Sequence, residues 1–178
     1  PAFCTTWPLD GLDDSLTVHG TAAVAAGASG QSLVLDGGSL IELKDSANLA
    51  GGSFTVSLWF NPYELNGGQQ MLVGKNRYSL NERQWGLTIE PDGKIKAHLR
   101  QGGWSEIRCA EPLVEGNWHL ATLTVSPGMA TLYLDGKAAG EAKLRQPIAA
   151  TEAPITLGGI WDEGKVRQAF HGALDEFA

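Results

Sequence analysis

A period-two alternation of apolar and polar side chains is the feature that most constrains how this chain can fold. In residues 53–60 (SFTVSLWF), every second side chain, starting at Phe54, is large and apolar. Successive side chains of a β-strand point to opposite faces, so this spacing predicts a strand with one buried face. The strand should end near Pro62, because proline has no N–H to donate to a neighbouring strand.

The same alternation recurs along the chain, with turn sequences between the segments. Pro91-Asp92-Gly93 separates two alternating segments and predicts a hairpin, and Asp135-Gly136 gives a second turn signal. Only residues 22–28 hint at a helix, whereas residues 136–154 are loop-like with room for an irregular edge strand. We predict strands at residues 3–9, 32–36, 39–43, 53–60, 71–75, 85–89, 95–100, 104–109, 119–125, 131–134, 155–159 and 170–177.

So many short strands in one chain predict an all-β fold in which two antiparallel sheets pack as a jelly-roll sandwich. No linker or internal repeat divides the sequence, so residues 1–178 should form a single domain. The apolar sides of the alternating segments should fill the space between the sheets. The predicted core residues are Phe54, Val56, Leu58, Phe60, Leu87, Ile89, Leu99, Leu123 and Leu132.

The charge balance argues against two classes of partner. The chain has 20 acidic and 13 basic residues and a net charge of −7. Binding to nucleic acid needs clustered Lys and Arg, and docking on an anionic membrane is equally unsupported by this charge. No apolar run approaches the roughly 20 residues of a membrane span. We therefore predict no nucleic-acid partner and no membrane insertion.

The two cysteines, Cys4 and Cys109, have neither the CxxC nor the His-flanked spacing of a zinc site. In an oxidising compartment they could form one long-range disulfide, which we predict for a secreted chain. Two unrelated buried thiols are the alternative.

Six short motifs, in order and at normal spacing, make the chain resemble one family. It is similar to the laminin-G-like, concanavalin A-like jelly-roll domains of bacterial extracellular proteins. The motifs are residues 7–11 (WPLDG), 33–38 (LVLDGG), 54–62 (FTVSLWFNP), 116–121 (GNWHLA), 132–136 (LYLDG) and 170–177 (FHGALDEF).

The resemblance implies a carbohydrate-binding module, tethered to other domains of a larger secreted or cell-surface protein, more often than a catalyst. It also implies a structural calcium ion, a hard cation that takes carboxylate and carbonyl oxygens. Asp10 and Asp175 come from segments that such a fold brings together, and Asp36 precedes two glycines that could free carbonyls. A protein-interaction or adhesion domain of the same fold is the alternative.

The residues themselves give little support for catalysis. Glycosidases need two carboxyl groups about 5 Å apart when they retain configuration. The best acidic string, Glu90-Pro91-Asp92, is a turn, and Glu111 and Glu115 flank a loop. There is no GxSxG sequence, and the four histidines are scattered. We predict that the chain is not an enzyme, with a small jelly-roll polysaccharide lyase as the remaining catalytic alternative.

Two predicted neighbouring strands offer a surface for sugar binding. If Ile95, Ala97 and Leu99 point into the core, the alternate side chains must point outward. Aromatic rings cover the C–H face of a sugar, and charged groups bind its hydroxyls. The predicted glycan site therefore comprises His98, Arg100, Trp104, Glu106 and Arg108. Because basic residues outnumber Glu106 there, an acidic or sulfated glycan is favoured.

Further aromatic and basic residues are candidates for the rim of this site. Trp59 lies on the polar side of its strand, and Trp161 lies in a turn-like sequence, GGIWDEG. Arg77, Tyr78 and Arg83 occupy a polar, loop-rich stretch. Each of these could instead serve packing or solvation.

Overall fold

The computed structural model describes residues 4–44, 52–65 and 67–178. The strands are β1 Leu16–His19, β2 Ala22–Ala26, β3 Gln31–Asp36, β4 Leu40–Leu43, β5 Phe54–Pro62, β6 Gln70–Arg77, β7 Glu82–Ile89, β8 Ile95–Gln101, β9 Gly103–Arg108, β10 His119–Ser126, β11 Met129–Leu134, β12 Lys137–Lys143, β13 Ile155–Leu157, β14 Ile160–Asp162, β15 Lys165–Arg167 and β16 His171–Asp175. A 3-10 turn, Tyr78–Leu80, joins β6 to β7. Within these ranges, no helix has the length and apolarity needed to span a membrane.

Two seven-stranded sheets form the sandwich, as predicted. Sheet A has the order β1-β4-β13-β6-β7-β8-β9, and sheet B has the order β12-β11-β10-β5-β16-β3-β2. Neighbouring strands run antiparallel in both sheets. Strands β14 and β15 pair with each other as a separate hairpin. The apolar faces of the sheets enclose one core cluster.

The predicted register is confirmed by Leu58, which is fully buried and lies opposite Ala121 of β10. A shift of one residue would have turned this side chain outward. The other predicted core residues are buried too, except that Phe54 is half-buried and packs its ring 5.8 Å from that of Trp85.

Several elements differ from the sequence prediction. Residues 22–26 form strand β2 rather than a helix, because they pair with β3 along their whole length. The segment predicted as strand 3–9 makes a single bridge between Trp7 and Phe177, and residues 1–3 lie outside the described part. The loop-like stretch does contain an edge strand, β12, whose register shifts beside Leu132. Strands β1, β14 and β15, each of three or four residues, were not predicted.

The predicted Cys4–Cys109 disulfide is not formed in the structure. Cys4 is exposed, whereas Cys109 is buried at the end of β9, and both thiols are free. Cys4 precedes the Trp7 segment that pairs with the chain end beside sheet B, whereas Cys109 follows a strand of sheet A. The alternative of two buried thiols is also only half right, because one thiol is exposed.

Candidate functional site

The pairing of β8 with β9 brings the predicted sugar-binding residues together. His98 lies opposite Glu106, and Arg100 lies opposite Trp104. The alternate side chains of β8, which are Ile95, Ala97 and Leu99, are buried in the core. Because side chains alternate along a strand, the paired residues share the outer face of sheet A.

Trp104 is the exposed aromatic of this face. Its residue surface is 39% exposed. The rings of His98 and Trp104 meet at 77°, with centroids 5.1 Å apart, and the Arg100 guanidinium carbon lies 5.5 Å from the Trp104 centroid. A cation at that distance from an indole is stabilised by the ring's negative face. Trp104 is therefore held as a platform between two neighbours.

His98 is more deeply placed than the sequence suggested, with only 6% of its surface exposed. A Cβ on Gly86 would lie 2.6 Å from His98 Cε1, so the imidazole occupies space that only glycine leaves open. Asn76 Nδ2 donates to the Trp85 carbonyl and lies 3.3 Å from His98 Nε2. Burial, aided by Lys96, lowers the pKa of His98 to about 4. The neutral ring accepts from Asn76 and positions Trp104.

The charged neighbours of His98 are largely paired. Lys96 Nζ lies 3.2 Å from Glu90 Oε2 and 3.3 Å from Glu106 Oε1. Arg108 forms an ion pair with Asp92 at the β7–β8 turn, so it points away from Trp104. Glu106 remains exposed and can still accept from a ligand.

The β6–β7 connection supplies a second side to the site. The Arg83 guanidinium carbon lies 4.8 Å from the centre of the Tyr78 ring. Ser79 donates its N–H to Asp162 Oδ2 at 3.1 Å and its hydroxyl to Oδ1 at 2.5 Å, which fixes the turn against β14. Burial raises the pKa of Tyr78, although Arg83 and Gln168 oppose the shift. Arg77 instead forms an ion pair with Glu82 and is not part of the contact between Arg83 and Tyr78.

Two glutamines that the sequence analysis missed, Gln69 and Gln168, connect Glu90 to the side chain of Tyr78. Gln69 Nε2 donates to Glu90 Oε1 at 2.7 Å, and Gln168 Nε2 donates to Gln69 Oε1 at 2.6 Å. Among the described residues, Gln168 Oε1 and Arg83 Nε are buried without a hydrogen-bond partner. Both glutamines lie outside the strands, where no periodicity marks them.

We call the surface formed by Tyr78, Arg83, Arg100 and Trp104 the Trp104 groove. Arg83 stands on β7 and Trp104 on β9, two strands apart in sheet A, which is roughly 10 Å. Gly74 and Gly86 face each other across β6 and β7, and the space above them is filled by the buried side chains of Asn76, Met71 and His98. Trp104 is the part of this surface that offers an exposed ring face to a ligand.

Two other predicted aromatics lie elsewhere. Trp161 is on β14 and stacks on His19 at 3.9 Å and 22°, and His19 belongs to β1 at the far edge of sheet A from β9. Trp59 lies on β5 in sheet B, beside Leu120 and Asp175. Trp59 does point away from the core, but it lies on the outer face of sheet B, whereas Trp104 lies on sheet A. Neither joins the Trp104 groove.

The candidate calcium ligands separate into a pair and a single residue. Asp10 Oδ1 accepts from Gln31 N, and Asp175 Oδ2 accepts from Ser29 N, so both flank the 27–31 loop. Asp36 is at the opposite end of β3 and binds its own turn through Gly38 N. The described residues contain no cluster of three or more His, Cys, Asp or Glu suited to a metal. Burial raises the pKa of Asp175, and Asp10 adds to the rise.

Comparisons with known proteins agree with this architecture. A family model described as the Concanavalin A-like lectin/glucanases superfamily matches residues 35–178. No curated protein is similar enough in sequence to count as a relative.

Solved structures with the same fold include domain 4 of AbnA, a GH43 extracellular arabinanase from Geobacillus stearothermophilus, in complex with arabinotriose. It is 23% identical with a TM-score of 0.72, covering 91% of this chain and 80% of that one. The CBM40 of the Ruminococcus gnavus IT-sialidase, bound to α2,3-sialyllactose, is 16% identical with a TM-score of 0.70, covering 82% and 87%. The leech intramolecular trans-sialidase, complexed with 2,7-anhydro-Neu5Ac, is 18% identical with a TM-score of 0.66, covering 82% and 24%. At these identities the likeness establishes the fold.

Proposed function

Because this chain belongs to the concanavalin A-like lectin/glucanases superfamily, we propose that it is a non-catalytic carbohydrate-binding domain. The observation that carries the proposal is Trp104, an exposed indole held by His98 and Arg100 and facing polar groups across a groove. An indole covers the apolar C–H face of a pyranose, while guanidinium and amide groups bind its hydroxyls. Arabinotriose and sialyllactose are bound by two of the domains that share the fold.

An acidic or sulfated glycan fits the charges of the groove. Neither Arg83 nor Arg100 forms an ion pair with a described carboxylate. A guanidinium can donate two parallel hydrogen bonds to a carboxylate or sulfate. The protein as a whole carries a net charge of −7, so its overall field does not attract an anionic glycan. Arg83 and Arg100 would attract it only at short range, within the groove.

The carboxyl groups near the groove favour binding over hydrolysis. Glu90 and Glu106 share Lys96, whose positive charge stabilises both anions. Burial would raise the pKa of Glu90, but hydrogen bonds from Gln69, Thr88 and Lys96 outweigh it and hold the pKa below its usual value. A glycosidase acid needs the opposite shift, because it must keep its proton near neutral pH.

A glycan array tests this proposal. The purified domain is applied to neutral, uronate-containing, sialylated and sulfated oligosaccharides, alongside Arg100→Gln and the double variant Arg83→Gln/Arg100→Gln. We expect binding at micromolar to millimolar Kd, roughly −8 to −4 kcal/mol, with anionic glycans affected most by the variants. Silence on the array would favour a protein-interaction domain. Release of products that absorb in the ultraviolet from a uronate polymer would favour a lyase.

We also propose that the domain is secreted and forms part of a larger extracellular enzyme or surface protein. The exposed sugar platform supports this, because a weak binding site is useful when it is linked to other sites on the same chain. Fractionating the source cells and blotting for this domain tests both points. An intracellular location, or a product no longer than this domain, would contradict it.

We further propose a structural calcium ion between Asp10 and Asp175. The residues fit such an ion, because Asp175 Oδ1 is buried without a described partner and a second carboxylate lies across the same loop. Backbone carbonyls of residues 27–30 could complete the oxygen ligands that calcium prefers.

A further inference from the structure

Trp104 lies on a segment that its own sheet holds weakly. Strand β9 is an edge strand of sheet A, and β8 is its one neighbour among the described strands of that sheet. Gly102 and Gly103 come directly before Trp104, and glycine leaves the backbone more conformational freedom than other residues do. A Cβ on Gly103 would meet no described atom within 4 Å, so the turn is open at this point. The orientation of the indole therefore depends on the residues that flank the two glycines.

Gln101, the last residue of β8, bonds to both sides of this turn. Its Nε2 donates to Ser105 Oγ at 2.5 Å, which ties the two strands together next to Trp104. Its Oε1 accepts from the backbone N–H groups of Arg145 and Gln146, at 2.5 and 3.1 Å. The residue is buried, so water competes little for these hydrogen bonds. One amide thus joins β8, β9 and the segment that follows β12.

The segment after β12 is a firm anchor because it is bound to sheet A at a second place. We call residues 144–154 the strap, since they cross from β12 of sheet B to β13 of sheet A. Thr151 donates both its N–H and its hydroxyl to Gln84 Oε1, each at 2.8 Å. The strap also contacts the turn directly, because a Cβ on Gly102 would lie 2.7 Å from Gln146 Nε2. The turn that carries Trp104 is therefore fastened to a segment that is itself held in place.

We propose that Gln101 is a positioning residue of the Trp104 groove: it fastens the β8–β9 turn to the strap and so fixes the orientation of Trp104. The inference rests on the proposed glycan binding and adds to it the residue that holds the sugar platform in place. A platform that is oriented before the ligand arrives loses less conformational entropy on binding, which raises the affinity. Gln101 itself lies on the inner side of the turn, beside Ser105, and acts on the sugar only through Trp104.

The first measurement reads Trp104 without a ligand. The domain is labelled with 5-fluorotryptophan, and the fluorine resonance that is missing in Trp104→Phe is assigned to Trp104. Gln101→Met removes the donor and the acceptor, so this resonance should move towards its position in the denatured protein. Gln101→Glu can accept from all three donors and should keep most of the native displacement. Gln70→Met is the matched control, because Gln70 is also buried and also uses both ends of its amide, but on β6.

The second measurement is calorimetric titration with the best saccharide from the array. Gln101→Met should bind it about tenfold more weakly than the wild type, and Gln70→Met should bind it equally well. A Trp104 resonance that stays in place in Gln101→Met, or an unchanged affinity, would overturn the role of Gln101 and leave glycan binding intact. A displaced resonance in a domain whose wild type binds no saccharide would overturn glycan binding alone. Thermal melts check each fold, and Ser105→Ala, which removes only the contact across the turn, carries the test if Gln101→Met unfolds.

Discussion

His98 and Trp104 lie on adjacent strands, and their rings meet almost at a right angle, 5.1 Å between centroids. The imidazole is buried and the indole is exposed, so the histidine supports a ring that solvent can reach. An aromatic pair in this arrangement contributes roughly 0.5–1.5 kcal/mol beyond its buried area. The groove therefore has a platform whose orientation is fixed before a ligand arrives.

We expect Trp104→Ala to abolish measurable glycan binding, because it removes the apolar surface on which a sugar ring would lie. The fold should survive, since the side chain is partly exposed. Calorimetric titration with the best array saccharide and a circular dichroism spectrum check the two statements. Tyr63→Ala, at another exposed aromatic, is the control. Normal binding by Trp104→Ala and loss in Trp161→Ala would instead locate the site at the β14–β15 hairpin.

The buried His98 should make the free energy of unfolding depend on pH. Its pKa is about 4 in the folded chain and about 6.5 when unfolded, so below pH 6.5 the unfolded chain takes up a proton that the folded chain refuses. The free energy of unfolding should fall by up to about 3 kcal/mol as the pH drops from 6.5 towards 4. Urea unfolding at several pH values measures this slope. His98→Gln cannot titrate, and an equal slope in that variant would contradict the assignment.

Period-two alternation was sufficient to group Trp104, Arg100 and Glu106, because it fixes which side of a strand each residue occupies. It could not show that Trp59 belongs to the opposite sheet, since sidedness does not say which sheet a strand joins. Nor could it find the contacts of Gln168 with Gln69 and Met71, which lie far away in the sequence. Long-range packing also explains why His98, which lies on the outer face as the alternation predicted, is nevertheless buried there by its neighbours.

Leu58→Ala should destabilise the fold by about 2–5 kcal/mol, because it leaves a cavity where the side chain is fully buried between the sheets. Ser57→Ala, on the other face of the same strand, should change stability by less than about 1 kcal/mol. Chemical denaturation of both variants gives the comparison. Equal, small effects would show that the space around Leu58 is not a close-packed core.

The two cysteines should differ in their reactivity towards a thiol reagent in the native protein. Cys4 is exposed and should react with a thiol reagent in the native protein. Cys109 is buried, and burial raises the pKa of its thiol, so it should react only after denaturation. Absorbance titration before and after denaturant counts each group. Two unreactive sulfurs in denaturant without reductant would establish the disulfide that the structure lacks.

Calcium should stabilise the domain through Asp175. An ion that binds only the folded state raises the melting temperature by mass action, with about 2.7 kcal/mol at a free concentration 100 times Kd. Without an ion, the buried carboxylate of Asp175 has one oxygen with no described partner, and its raised pKa reflects that burial. Chelator should therefore lower the melting temperature, and added calcium should restore it. Asp175→Asn removes the charge and should abolish the calcium response, whereas Asp36→Asn, at the far end of β3, should keep it. The ion would be ruled out if neither chelator nor calcium changed the melting temperature of the unmodified protein and elemental analysis found no metal.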